Sequence, residues 1–375
     1  VDASQILQPL ANGVVFGAIL ALCAIGLTLI YGILNLSSFA HGDTLAFGAY
    51  MAFFFGTSLY RGAQIVPLAL GAAALLLIAV GADRLWTRRL VRLERWTLLG
   101  FAAALALDAA YVRLMQGGAW AGTTDRVLVL AALLAIAATV ALTVLFEFVL
   151  WRPLRRKGAT VLSLVIASLG LSLVIRNGLQ MYFGGDQVSL ERGVDESATY
   201  LGVHVSSAQW LTLLLAAVVI LGVHLFMTRA RTGKAMRALA DNRDLARVCG
   251  IDVDRVIVYV WVLAAALVAL AGVLLCLNSN NSLRVDMGFN VLIPIFAAVL
   301  LGGIGSPYGA MLGGLVVGVA MRAGPGLMFV LLSRTGGPGW LMRDLGNTAY
   351  DLAWAFVVLV LVLLFRPQGI LGRKA

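Results

Sequence analysis

Runs of apolar residues follow one another along this chain from end to end. Each reaches or approaches the roughly 20 residues that cross a bilayer. Eleven are readable, at 9–34, 44–60, 65–82, 97–115, 127–150, 160–180, 210–228, 256–277, 289–301, 308–321 and 349–365. No polar stretch between them is long enough to fold as a soluble domain. Of the 375 residues, 61% are hydrophobic and 12% are charged, where a soluble domain carries roughly twice that charge. Backbone groups in lipid must be satisfied inside a helix or around a closed barrel, and the alternation of a barrel strand is absent. The expectation is an all-α fold, a polytopic transmembrane helical bundle with about 11 apolar spans, forming a single membrane domain over 1–375. Spans 289–301 and 308–321 are short enough to be a re-entrant pair instead of two crossings.

The charges orient the bundle. Arg84, Arg88, Arg89, Arg92 and Arg95 follow the third span, and Arg152, Arg155, Arg156 and Lys157 follow the fifth. A polar island follows the seventh, and Arg366, Arg373 and Lys374 end the chain. Alternate crossings put all four groups on one side, which the positive-inside rule makes cytoplasmic. The loop 184–209, with Asp186, Glu191, Asp195 and Glu196 against Arg192, then faces outward, as does the N-terminus. A net charge of +10 spread over such loops sets topology and does not point to nucleic acid. Residues 1–9 lack the basic start of a cleavable signal. Cys23, Cys249 and Cys276 show no metal or redox spacing and are read as packing residues.

The polar island, 229–255, is patterned. Thr232 is placed to cap one short helix and Asp241 or Asn242 a second, with Gly250 as the stop. Ala235, Met236, Leu239, Leu245, Ala246 and Cys249 give these helices an apolar side. A solvated connector needs no such side; a surface that docks on another protein does. The island is therefore read as a pair of cytosolic coupling helices. Its Thr232-Gly-Lys234 is not a phosphate loop, because Ala235 replaces the hydroxyl residue and Thr228 the first glycine. No nucleotide, metal or other cofactor is expected on this chain.

Two Gly-containing breaks interrupt the apolar pattern, Asn35-Leu-Ser-Ser-Phe-Ala-His-Gly-Asp43 and Leu301-Gly-Gly-Ile-Gly-Ser-Pro-Tyr-Gly309. Transporters place broken helices at matching points of two halves around the pathway, so Asn35, Phe39, His41, Gly42, Gly302, Gly303, Gly305 and Ser306 are the candidate path residues. His41 is weighed first as a histidine that fixes the break against nearby carbonyls, Asn35 as a helix stop, and Asp43 as the cap of the second span. The same glycines, with Gly313 and Gly314, also suit close helix packing. Asp108 is an acid deep in a span, expected to face protein. Glu147 and Asp351 lie near span ends, where they can pair or snorkel.

Ile25-Gly-Leu-Thr-Leu-Ile-Tyr-Gly-Ile-Leu-Asn-Leu-Ser-Ser-Phe-Ala-His-Gly-Asp43, followed by Phe47-Gly-Ala-Tyr50, resembles the opening of the inner-membrane permeases of branched-chain amino acid ABC importers. Trp151-Arg-Pro-Leu154, the island from Arg237 to Asp252, Ala271-Gly-Val273, Leu300 to Ser306 and Leu364-Phe-Arg-Pro-Gln-Gly-Ile-Leu-Gly372 resemble the same family in the same order. Phe39-Ala-His-Gly42 is closer to the first permease of the heterodimer than to the second. The resemblance implies a second permease subunit, two cytosolic ATPase subunits that bind ATP and Mg, and a periplasmic substrate-binding protein. It implies an inner-membrane location and a coupling role for Arg237, Asp241, Asn242, Arg243, Ala246 and Gly250. The implied solute is a branched-chain or other hydrophobic amino acid, with urea, short amides and aromatic acids served by relatives. An ion-coupled transporter is the alternative class, and intramembrane acids to serve it are scarce. The chain departs from the family by two extra crossings, so 82–125 reads as an inserted helical hairpin. It also carries Asp241-Asn242 where the family often has a Glu-containing pair.

Overall fold

The computed structural model describes residues 4–61, 124–189, 197–200, 203–279, 282–335, 351–366 and 369–371. The expected spans 65–82 and 97–115, Asp108, nearly all of the expected hairpin 82–125, and Glu191, Arg192, Asp195 and Glu196 of the outer loop lie outside the described residues.

The described helices are α1 (Ser4–Leu34), α2 (Ala40–Arg61), α3 (Thr124–Phe146), α4 (Val161–Phe183), α5 (Ser207–Arg229), α6 (Arg231–Asp241), α7 (Arg243–Val248), α8 (Val253–Asn278), α9 (Met287–Gly302), α10 (Pro307–Thr335) and α11 (Asp351–Phe365). Six of them are long and apolar enough to cross a bilayer. Beyond Phe146, α3 widens into a π-helical turn, Glu147–Trp151, and closes with one α-turn, Arg152–Arg156.

α1 is apolar all round because it is buried all round; Ile19, Leu20, Ala21, Leu22, Cys23 and Ala24 have no exposed surface. It runs antiparallel to α10. Gly17 packs on Leu315, and Gly318 and Gly314 press on the backbones of Gly17 and Ala21. Gly314 therefore serves the close helix approach expected of it. α8 is the second buried helix, with Val260, Val268, Ala269 and Ala271 in the core. α4 and α5 lie outside, with Leu162, Ile166, Leu173, Val174, Leu214 and Val218 exposed.

The tenth apolar span is longer than expected: α10 continues from Pro307 to Thr335 as one helix, where the sequence pattern gives 308–321. Short strands appear where helices and loops alone were expected. β1 (Val188–Ser189) pairs with β4 (Ser282–Leu283), and β2 (Ser197–Tyr200) with β3 (Val203–Ser206), both antiparallel. The first pairing ties the loop after α4 to the α8–α9 connection. Gln8 ties α1 to β3, its amide donating to the His204 carbonyl at 2.9 Å and accepting from the His204 N–H at 2.7 Å.

Candidate functional site

The break after α1 turns inward. Asn35 stops the helix as expected, at φ 50° with its N–H on the Tyr31 carbonyl at 2.9 Å. The chain then re-enters the bundle, so that α2 starts beside the middle of α1. His41 Nε2 donates to the Cys23 carbonyl at 3.1 Å, which makes it a fixing residue of the break. The Phe39 N–H donates to Ser168 Oγ on α4 at 3.2 Å, and the Phe39 ring lies 5.1 Å from that of Phe296 on α9.

Asp43 does not cap α2. The helix has already begun at Ala40, so Asp43 sits in its first turn, where the positive helix end still favours an acid. Its fully buried carboxylate instead accepts from the Ser172 hydroxyl and from Arg176 Nε and Nη2 at 3.2 Å. Ser168, Ser172 and Arg176 are spaced four apart and share one face of α4. Sequence reasoning passed over them; the available signal was an arginine and two serines at helical spacing inside an apolar span.

The two glycine breaks do not form one site. Gly42 meets Gly288, at the start of α9, backbone against backbone. Gly302, Gly303, Gly305 and Ser306 gather at the other end of α9. There the Gly305 N–H donates to Thr28 Oγ1 at 3.1 Å, and Ser306 Oγ accepts from the Gly309 N–H at 3.2 Å. Residues 369–371 close this second break like an added strand. The Ile370 N–H donates to the Leu301 carbonyl at 2.8 Å and the Leu371 N–H to Gly302 at 3.1 Å. These bonds satisfy carbonyls left open at the end of α9.

A cavity of about 20 Å³ lies between the first break, α3 and α8, lined among others by Ser38, His41, Thr44, Thr143, Trp151 and Trp261. It has room for about one water, far less than an amino acid needs. Below it, Trp151 stacks on Trp261 with centroids 6.0 Å apart and rings 10° from parallel. Trp261 Nε1 donates to Glu147 at 2.7 Å, and Glu147 also pairs with Arg155. Glu147 is thus buried and doubly held within the bundle, more than the simple end-of-span residue expected. Asp351 pairs with Arg322 at 2.9 Å.

The island folds as two helices, with two corrections. α6 begins at Arg231 after Ala230, and no side chain caps it; Thr232 is already inside. Gly233 in this first turn presses on the backbone of Phe226 and Met227, so the close approach to α5 holds the helix start instead. Asn242 caps α7 as expected, its Oδ1 accepting from the N–H groups of Asp244 and Leu245 at 3.0 Å. Gly250 ends the element at φ 81°. Met236, Leu239 and Ala246 are buried, but Leu245, Val248 and Cys249 are exposed, so Cys249 is not a packing residue. Arg237 and Asp241 lie on the exposed side of α6. Arg243 is half-buried, and that burial, with Arg247 and Arg155 nearby, lowers its pKa. Arg152 joins the end of α3 to Asp254 at the start of α8, 2.7 Å away.

The family model described as branched-chain amino acid transport system / permease component matches residues 10–113 and 95–365. The chain belongs to this permease family. The permease is 31% identical over 377 residues to the high-affinity branched-chain amino acid transport system permease protein BraD of Pseudomonas aeruginosa, covering 98% of this chain and 96% of the relative. It is 28% identical to LivH of Salmonella typhimurium over 374 residues and to LivH of Escherichia coli K12 over 377, with the same coverage. Both carry that high-affinity permease description. No solved structure matches the permease. Several of its segments that resemble the family's take part in this geometry. Trp151 supplies the stack on Trp261, Phe39 to Asp43 the inward break, and Gly369 to Leu371 the backbone contact on α9.

Proposed function

We propose that this chain is the membrane subunit of an ABC importer for branched-chain or similar hydrophobic amino acids. A second permease completes the path, two cytosolic ATPases bind ATP and Mg, and a periplasmic binding protein delivers the solute. The chain lies in the bacterial inner membrane with its N-terminus outside and its C-terminus in the cytoplasm. The observation that carries this reading is the apolar ridge Leu245, Val248 and Cys249, exposed on the capped helix α7 of an otherwise charged element. Exposed apolar groups on such an element are what a docked protein covers. The ridge belongs to the end opposite β3: α5 separates the two by 23 residues, about 34 Å.

A mechanical route leads inward from it. Arg243 of α7 lies near Arg155, Arg155 pairs with Glu147, Glu147 binds Trp261, and Trp261 lines the cavity beside His41. ATPase closure against 229–255 would press on α7 and the neighbouring Arg155, and the Arg155–Glu147–Trp261 contacts would carry the displacement to the break at 35–43. The candidate path residues Asn35, Phe39, His41 and Gly42 lie at that inner end, while Gly302, Gly303, Gly305 and Ser306 form a second hinge.

The test uses the assembled complex with Leu245→Asp and Val248→Asp together. The ridge is exposed, so the permease should keep its melting temperature, while ATPase co-purification and ATP-driven leucine uptake are lost. A variant complex that holds its ATPases and transports at the wild-type rate would remove the coupling assignment.

A further inference from the structure

Arg176 does more than balance a buried acid. Its partner Asp43 has no exposed surface, whereas the Arg176 side chain keeps 23% of its own. Asp43 engages Nε and Nη2, and Nη1 donates to no residue among the described ones. The guanidinium also lies over the ring of Phe289, 4.7 Å from its centroid, and that ring is 45% exposed. One end of the fork is thus anchored inside the protein and the other is turned to the outer surface of the chain. Arg176 stands seven residues, about 10 Å, before the end of α4, in the last turns of the apolar span. An ionisable group still within a span is costly and usually serves a path.

The surroundings select the ligand's charge. Asp43 is one carboxylate facing one guanidinium, and it also sits where the starts of α2 and α9 touch through Gly42 and Gly288. Both helix starts carry partial positive charge, so the locale stays net positive. The nearby acid Asp286 is already held by Arg284 at 3.1 Å. Beside the free edge of the fork, Phe289 and Leu173 offer exposed apolar surface.

We propose that Arg176 receives the carboxylate of the solute during passage, through Nη1, while Phe289 and Leu173 take the aliphatic side chain. The class of ligand is therefore a small amino acid bearing an apolar side chain. The inference rests on the importer reading above and adds the residue that recognises the carboxylate.

The experiment is uptake of radiolabelled leucine by proteoliposomes holding the whole complex, with binding-protein-stimulated ATPase and co-purification measured alongside. Arg176→Lys keeps a positive partner for Asp43 but loses the fork. Uptake should fall about tenfold, the worth of one charge-assisted hydrogen bond, with assembly and ATPase stimulation intact. The neutral pair Asp43→Asn with Arg176→Gln removes both charges together and leaves neither unpaired, and uptake should still be down about thirtyfold or more. If Arg176 is a counter-ion only, both variants transport at the wild-type rate; that result from either assembled variant overturns the proposal and leaves the importer reading standing. Wild-type uptake that ignores ATP would overturn the importer reading instead.

Discussion

Gly42 and Gly288 face each other so closely that a β-carbon on either would overlap the other's carbonyl oxygen. Two helix starts meet here, 246 positions apart in the chain. The contact joins the break after α1 to the entry of α9, and it accepts no side chain.

Gly42→Ala and Gly288→Ala should therefore each destabilise the permease by about 1–3 kcal/mol, the ordinary cost of overpacking. Gly170→Ala is the control, because nothing lies within 4 Å of its added carbon. Melting in detergent, followed by tryptophan fluorescence, should separate the first two from the third.

Glu147 holds both Arg155 and Trp261 in a site with almost no solvent. Glu147→Ala leaves a guanidinium without its acid and should cost about 3–5 kcal/mol. Glu147→Gln still offers an oxygen to Trp261 and should cost less. The same melting assay reads both, and equal losses would show that the Arg155 pair alone matters.

The caps of the island are open to direct measurement. Asn242→Ala removes the acceptor for two N–H groups and should weaken the element by about 1 kcal/mol. Gly250→Val forces a branched side chain to φ 81° and should cost about 1–2 kcal/mol. Hydrogen exchange of the amides in 243–249 should rise in both, with α8 unchanged.

Residues 369–371 supply the donors that close the end of α9. Gly369 stands at φ 79° with Gly303 in the way of any side chain. Gly369→Val should release this segment, at a cost of about 1–3 kcal/mol for the carbonyls left open. Faster hydrogen exchange at the Ile370 and Leu371 amides is the readout.

What could be read from the residues in order was what local chemistry decides. The apolar runs reported a helical membrane bundle, Asn35 and Gly250 marked helix ends, and Asn242 a helix start. Thr232 does not cap because the chain begins α6 two residues earlier, after Ala230, held by the approach of Gly233 to α5. Asp43 was taken as a cap because a cap is a local event. Its true partners, Ser172 and Arg176, are about 130 residues away, at a distance no local pattern encodes. The same reason separates the two glycine breaks. Their likeness in composition suggested matching halves, yet Gly42 pairs with Gly288, in a stretch with no Gly-rich signature. Glu147 looked plain in sequence because the tryptophan it binds lies 114 positions on.

The widened turn at Glu147–Trp151 acts as a phase shift. It holds one residue more than an α-turn, and everything after it is rotated by about 100° from where an unbroken helix would carry it. That offset aims Arg155 back at Glu147 while Arg152 reaches across to Asp254. Side chains in this stretch can be exchanged one at a time, but its length cannot. Losing a single residue there would straighten the helix and swing both arginines off their acids, without altering either one.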